Sequence, residues 1–98
     1  MKEQKFELGE IVVTSAVHNR MKEDKEFENF VFLSIVRHRE GDWGDLDPED
    51  AELNDQALES GEDRLFSAYI YNKEADDKIW IITEWDRSVT TILFPSDY

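Results

Sequence analysis

Arg64-Leu65-Phe66-Ser67-Ala68-Tyr69-Ile70-Tyr71, Lys78-Ile79-Trp80-Ile81-Ile82-Thr83-Glu84-Trp85 and Ser88-Val89-Thr90-Thr91-Ile92-Leu93-Phe94 follow one another with only short polar breaks. Side chains alternate across a strand, so Leu65, Ser67, Tyr69 and Tyr71 share one face and Phe66, Ala68 and Ile70 the other. Val89, Thr91 and Leu93 likewise stand opposite Thr90, Ile92 and Phe94. The run Ile79-Trp80-Ile81-Ile82 is apolar on both faces, which predicts an internal strand with Trp80 in the core. Residues 72–77 make a polar turn, Asp86-Arg87 a shorter one, and Pro95 ends pairing because it has no amide donor. Three strands, 64–71, 78–85 and 88–94, therefore form an antiparallel meander.

Upstream, the period lengthens. Residues 26–39 place Phe27, Phe30, Val31, Ser34 and Ile35 at three- and four-residue spacing, with Leu33 and Val36 widening that face. Arg37, His38 and Arg39 sit where the carboxyl end of a helix favours positive charge, and Gly41 can stop the helix. Asp47 has the character of an N-cap, Pro48 suits the first helical position, and Asp50 resembles the reciprocal member of a capping box. A helix over 48–60, ended near Gly61, is predicted. Residues 10–14, with Ile11-Val12-Val13, read as a short strand able to pair with an edge of the meander. Thr14 or Ser15 can cap a further helix carrying Ala16, Val17 and Met21, and the charged interval 22–26 either interrupts it or forms its wet side. The expected order is β-α-α-α-β-β-β: one α+β domain over residues 1–98, its helices covering one face of the sheet.

Ninety-eight residues suit one core, and 40% hydrophobic content is enough to build it. Twenty-four Asp and Glu against eleven Lys and Arg give a net charge of -13, which opposes direct binding to nucleic acid or to an anionic membrane. There is no cysteine, so disulfides and thiolate chemistry are excluded. The opening residues Met1-Lys2-Glu3-Gln4-Lys5 hold no signal-like apolar run, and no stretch approaches the length of a membrane span; a cytoplasmic location is expected.

The charge is concentrated. Residues 40–63 contain eleven acids and no Lys or Arg, so they carry -11 of the -13 and leave thirteen acids nearly balanced by eleven bases elsewhere. A net charge near -2 would already serve solubility. On the helix expected at 48–60, Glu52, Asp55 and Glu59 fall within a narrow angle, while Asn54, Ala57 and Leu58 face elsewhere. Such a helix can dock and still display a negative ridge. Asp42, Asp45, Asp47, Glu49, Glu52, Asp55 and Glu59, with Trp85 as an aromatic anchor, are the candidate contacts for a basic protein. Carboxylates on a firm support can also imitate spaced phosphates in a nuclease groove. The alternative is an ordinary solvated acidic face.

Trp43 can buttress the turn Gly41-Asp42-Trp43-Gly44-Asp45. Arg64 and Arg87 can each lock a turn through a carboxylate or offer a local anion-binding point, and Asp86 can orient the turn before Ser88. His18 and His38 read as solvent-facing or as local acid-base groups, and are too few for a histidine metal site. Ser34, Ser67 and Ser88 lack a nucleophile-elbow signature. The carboxylates of residues 42–50 lack the ligand plan of an EF-hand. No cofactor, metal or enzymatic activity is expected.

Gly41-Asp42-Trp43-Gly44-Asp45-Leu46, Asn54-Asp55-Gln56-Ala57-Leu58, Arg64-Leu65-Phe66-Ser67-Ala68-Tyr69 and Trp80-Ile81-Ile82-Thr83-Glu84-Trp85-Asp86-Arg87-Ser88-Val89-Thr90-Thr91-Ile92-Leu93-Phe94-Pro95 form a distinctive combination. Over residues 10–98 it resembles a family of small plasmid- and phage-associated bacterial proteins, whose pattern often has a smaller residue at position 85. The resemblance implies a mobile-element context, in which some compact acidic proteins are anti-CRISPR inhibitors. It makes a basic nuclease, such as Cas9, the leading expected partner. A plasmid accessory or regulatory module that binds a protein without blocking DNA is the first alternative, and a small enzyme with a carboxylate/arginine site the second. A homodimer through an edge strand remains compatible with the sequence.

Overall fold

The structure is a computed structural model that describes residues 3–98. Its order is β1 (Glu10–Val13), α1 (Ser15–Glu23), α2 (Lys25–Arg39), α3 (Pro48–Ser60), β2 (Leu65–Asn72), β3 (Asp77–Thr83) and β4 (Val89–Leu93), closed by a 3-10 turn at Pro95–Asp97. The fold is α+β, with the element order expected. The four strands form one sheet in the order β1-β4-β3-β2. β2, β3 and β4 are the antiparallel meander, and β1 adds to its β4 side in parallel.

Asp24 resolves the interval 22–26. Its N–H donates to the Arg20 carbonyl at 3.0 Å and so ends α1. Its carboxylate accepts from the N–H groups of Glu26 (3.0 Å) and Phe27 (3.2 Å) and so begins α2. One residue thereby satisfies orphan groups of two helix ends. Thr14 caps α1 through Val17, at 3.4 Å.

α1 and α2 cover one sheet face. Val17, Phe27 and Val31 pack with Tyr69, Ile79, Ile81 and Ile92 in a fully buried core. A second cluster joins Trp43, Ala57 and Leu65 to Phe6, Leu46, Ala51 and Leu58. The segment before β1 enters this cluster through Phe6, and its Leu8 is buried as well, although no periodicity announces either. Leu33 does not widen the contact face of α2; it is exposed. The buried residues are Phe27, Val31, Ser34 and His38, a stripe too narrow to reach Leu33.

Three further expectations are corrected. β3 stops at Thr83 rather than at Trp85, because residues 84–88 make a tight turn in which Arg87 has a positive φ of 60° and its N–H donates to the Glu84 carbonyl at 2.9 Å. Trp80 is half-buried rather than core. The alternation of β3 puts it on the face away from α1 and α2, where it meets Phe66 (5.1 Å between ring centres) and Tyr98 (5.8 Å). Asp47 is the N-cap residue of α3, but its side chain makes no capping hydrogen bond, and the reciprocal pair with Asp50 is not formed. Gly61 ends α3 in the left-handed conformation.

Candidate functional site

The acid-rich stretch divides into two groups with different work. The first group closes the outer edge of β2. Phe66, Ala68 and Ile70 turn backbone groups away from β3, where an exposed edge would invite pairing with another chain. The Asp45 N–H donates to the Ala68 carbonyl at 2.7 Å, and the Ala68 N–H donates to the Trp43 carbonyl at 3.3 Å. The Asp45 carboxylate accepts from the Ile70 N–H at 2.8 Å. From α3, Asn54 Nδ2 donates to the Phe66 carbonyl at 2.5 Å, while its Oδ1 accepts from the Phe66 N–H at 2.9 Å. Gly44 makes this approach possible at φ +78°, since a Cβ there would overlap the Ala68 carbonyl oxygen.

Asp42 and Asp55 belong to the same scaffold. Asp42 Oδ2 and Oδ1 accept from Arg37 Nε (2.8 Å) and Nη2 (3.2 Å), and Oδ1 also accepts from the Gly44 N–H at 3.1 Å. Asp55 Oδ1 accepts from Trp43 Nε1 at 2.9 Å. The indole is buried, stacks on Phe6 and sets its edge against His38. Trp43 therefore buttresses the turn as expected. Of the candidate partner contacts, Asp42, Asp45 and Asp55 each accept hydrogen bonds within the domain, and Asp45 and Asp55 are also exposed.

The second group faces solvent. Asp47, Glu49, Asp50, Glu52, Glu59, Glu62 and Asp63 are exposed, and no cation pairs with them among the described residues. Glu52 and Glu59 lie seven residues apart on one face of α3, about 10 Å along its axis. Glu49 and Asp50 suit the positive end of the helix dipole, whereas Glu59 stands in the last turn, where there is no basic residue and the dipole disfavours acid. Helix stability does not account for that placement. Beside these acids, α3 and the start of β2 bound an open groove of about 640 Å³ that includes Leu53, Ala57, Arg64 and Phe66.

Arg87 locks α3 to the β3–β4 turn, through carbonyls rather than the expected carboxylate. Nη1 donates to the carbonyls of Asp63 (2.7 Å), Trp85 (3.1 Å) and Glu84 (3.2 Å), and Nη2 to that of Ala57 (3.1 Å). The Ala57 carbonyl lies in the last turn of α3, where a cation opposes the negative end of the dipole; that of Asp63 follows the helix, and those of Glu84 and Trp85 belong to the β3–β4 turn. Arg64 also has no carboxylate lock; it donates to the Tyr98 hydroxyl at 2.9 Å. Asp86 orients its turn as expected: the side chain and N–H of Ser88 donate to it, at 2.6 and 3.1 Å, and hold its carboxyl below the usual range. Trp85 lies in that turn and is 61% exposed.

His38 is neither solvent-facing nor an accessible acid-base group. It is wholly buried in a chain of polar contacts: Nδ1 lies 2.5 Å from Ser67 Oγ, Nε2 2.9 Å from Thr83 Oγ1, and Thr83 Oγ1 2.8 Å from Thr90 Oγ1. Thr90 donates to the Leu8 carbonyl at 2.6 Å, so Thr83 must donate to Thr90 and accept from His38 Nε2–H. Nδ1 is then the acceptor for Ser67. Burial, with the Arg87 charge second, pushes the imidazole down to about 3. Ser67 and His38 have the separation of a nucleophile–base pair, yet both are enclosed and neither lines the groove beside α3. Their geometry serves packing of a polar core.

Two arginine sites carried no recognisable signal in the sequence. The Arg20 guanidinium lies 4.3 Å over the Phe27 ring and grips Asp77 with both nitrogens, at 2.7 and 2.5 Å. That of Arg37 lies 4.8 Å over Tyr69, whose hydroxyl donates to the Asp42 carbonyl at 2.6 Å. Arg20, Lys78, Trp80 and Phe94 line a second groove of about 490 Å³. Among the described residues, no three acidic or histidine side chains converge as a metal site, and no helix is long and apolar enough to cross a membrane. Compared with known proteins, the chain matches no family model, no curated protein and no solved structure.

Proposed function

We propose that this chain is an acidic interaction module that binds a basic surface of a protein partner through α3. One observation carries the proposal: Glu49, Asp50, Glu52, Glu59, Glu62 and Asp63 stand in solvent without cation partners among the described residues. Their helix is fixed at its middle by Asn54 and at its end by Arg87. Like charges at three- and four-residue spacing cost an isolated helix a few tenths of a kcal/mol each, and the packing of Asn54 and Ala57 onto β2 offsets that repulsion. A partner's Lys and Arg would relieve it while steering the encounter.

The candidate contacts are accordingly Asp47, Glu49, Asp50, Glu52 and Glu59, with the exposed Trp85 as an aromatic contact. In the mobile-element context implied by the motif resemblance, the partner is a nucleic-acid-handling nuclease and the helix competes for its basic groove. That role would be exercised in the cytoplasm. A second copy of the chain pairing strand to strand would use the β1 edge, where Ile11 and Val12 are exposed, since the outer edge of β2 is occupied.

Capture of partners from a bacterial lysate, with Glu49, Glu52 and Glu59 reversed to Lys, tests the proposal. A basic protein retained by the wild type and lost from the folded triple variant is the expected outcome. Equal retention by both would overturn it.

A further inference from the structure

We infer that the groove between α3 and the start of β2 receives a short linear segment of the partner, bearing one apolar side chain flanked by Lys or Arg. This rests on the proposed acidic module and specifies the chemistry of what it binds. The apolar part of the groove is formed by the buried Ala57, the half-buried Phe66 and Leu53, which is 62% exposed. Leu53 belongs to neither hydrophobic cluster, and the buried residues of α3 are Asn54 and Ala57. An isolated exposed leucine needs no explanation. One set beside a phenylalanine in a concave surface offers a seat for an apolar side chain.

The polar part sets the charge of the occupant. Asp50, Glu62 and Asp63 line the groove, exposed and without cation partners among the described residues. Arg64 is the cation of the lining, and its guanidinium is engaged by the Tyr98 hydroxyl. Asp50 lies in the first turn of α3, whereas Glu62 and Asp63 follow its last, so acid flanks the apolar floor at both ends. A segment with cations on both sides of an apolar residue complements that order.

The floor also disfavours a small polar ligand. Asn54, its buried amide, already uses Nδ2 and Oδ1 on the backbone of Phe66, and the uncharged polar side chains that remain in the lining, Gln56 and Ser60, are exposed rather than held in the floor. From Asp50 to Ser60 the helix rises about 15 Å, the length of roughly five residues of extended chain. A pentapeptide is therefore long enough to reach both acidic ends.

The probe is a fluorescein-labelled pentapeptide with a central leucine between two arginines on each side, followed by anisotropy at low salt. Saturable binding is expected, at least tenfold weaker for a peptide with serine in the centre and for Leu53→Ser protein, whose melting temperature should be unchanged. If the serine peptide binds the wild type as tightly, or Leu53→Ser loses nothing, the groove inference is overturned while charge attraction along α3 stands. If neither peptide binds although the charge-reversed helix loses its captured partner, the groove alone is again rejected. Absence of both peptide binding and partner capture would remove the acidic module as well.

Discussion

Asn54 binds both backbone groups of Phe66: its Nδ2 reaches the carbonyl at 2.5 Å and its Oδ1 the N–H at 2.9 Å. One amide on α3 thus takes the place of a neighbouring strand for one residue of the sheet edge. Trp43 and Asp45 do the same for Ala68 and Ile70. Three of the eleven acids of residues 40–63, Asp42, Asp45 and Asp55, consequently belong to the edge cover or its support, and seven others face outward from it.

Asn54→Asp removes the donor, leaves the Phe66 carbonyl unpaired and adds a charge to a buried position. A loss of about 2–3 kcal/mol is expected in urea denaturation, with concentration-dependent self-association by sedimentation as the β2 edge opens. Wild-type stability in this variant would contradict the assignment.

Gly44 and Gly61 both have positive φ, +78° and +71°, yet their surroundings differ. A Cβ at Gly44 would strike the Ala68 carbonyl and the Tyr69 ring, whereas one at Gly61 meets nothing within 4 Å. Gly44→Ala should therefore cost several times the roughly 1 kcal/mol expected from backbone strain in Gly61→Ala. Thermal unfolding of the pair measures the ratio, and equal losses would show that the close approach at Gly44 is not maintained.

His38 makes stability depend on pH. The imidazole titrates near 6.5 when unfolded and at about 3 when folded, so between those values the unfolded chain binds a proton that the folded chain refuses. Its contribution is complete above about 6.5 and is lost as the pH falls, by up to about 1.4 kcal/mol per pH unit. His38→Gln retains a donor and an acceptor without titrating. Denaturation of both proteins at pH 7, 5.5 and 4 should show a shallower decline for the variant, because the carboxylates are common to the two. Parallel curves would mean that His38 is accessible to protons.

Arg87 and Arg64 separate by their partners. Arg87→Ala removes the side chain that ties the carbonyls of Ala57 and Asp63 to those of Glu84 and Trp85 in the β3–β4 turn and should cost about 2–3 kcal/mol. Arg64→Ala loses a contact with an exposed hydroxyl and should change stability by less than about 0.5 kcal/mol. Differential scanning calorimetry distinguishes them. An equal effect would contradict the lock.

The α+β order was legible because hydrophobic period and turn chemistry agree. Val31, Ile81 and Ile92 announce their faces, Pro48 and Gly61 bound α3, and Asp24 lies in the charged interval where two helices meet. The apolar run around Trp80 predicts burial on both faces, whereas only one face of this sheet carries α1 and α2, and Trp80 is on the other. The burial of His38 is hidden in the sequence for a related reason. Its neighbours Arg37 and Arg39 mark a wet helix end, and its partners Ser67 and Thr83 are 29 and 45 residues away. Within the acidic stretch, composition identified the charge but not its division: Asp45 and Glu49 are both exposed carboxylates, and only the pairing of Asp45 with the Ile70 N–H tells them apart.

The most direct test measures the affinity of a purified captured partner for three proteins: wild type, Glu49→Lys/Glu52→Lys/Glu59→Lys, and a control with Glu23→Lys/Glu74→Lys on exposed positions away from α3. Asp55 is left intact because it holds Trp43. At least tenfold weaker binding by the α3 variant, with the control close to wild type and all three equally folded, is the expected result. Equal binding by the α3 variant, or equal losses in both variants, would contradict a contact made through the outward carboxylates of α3.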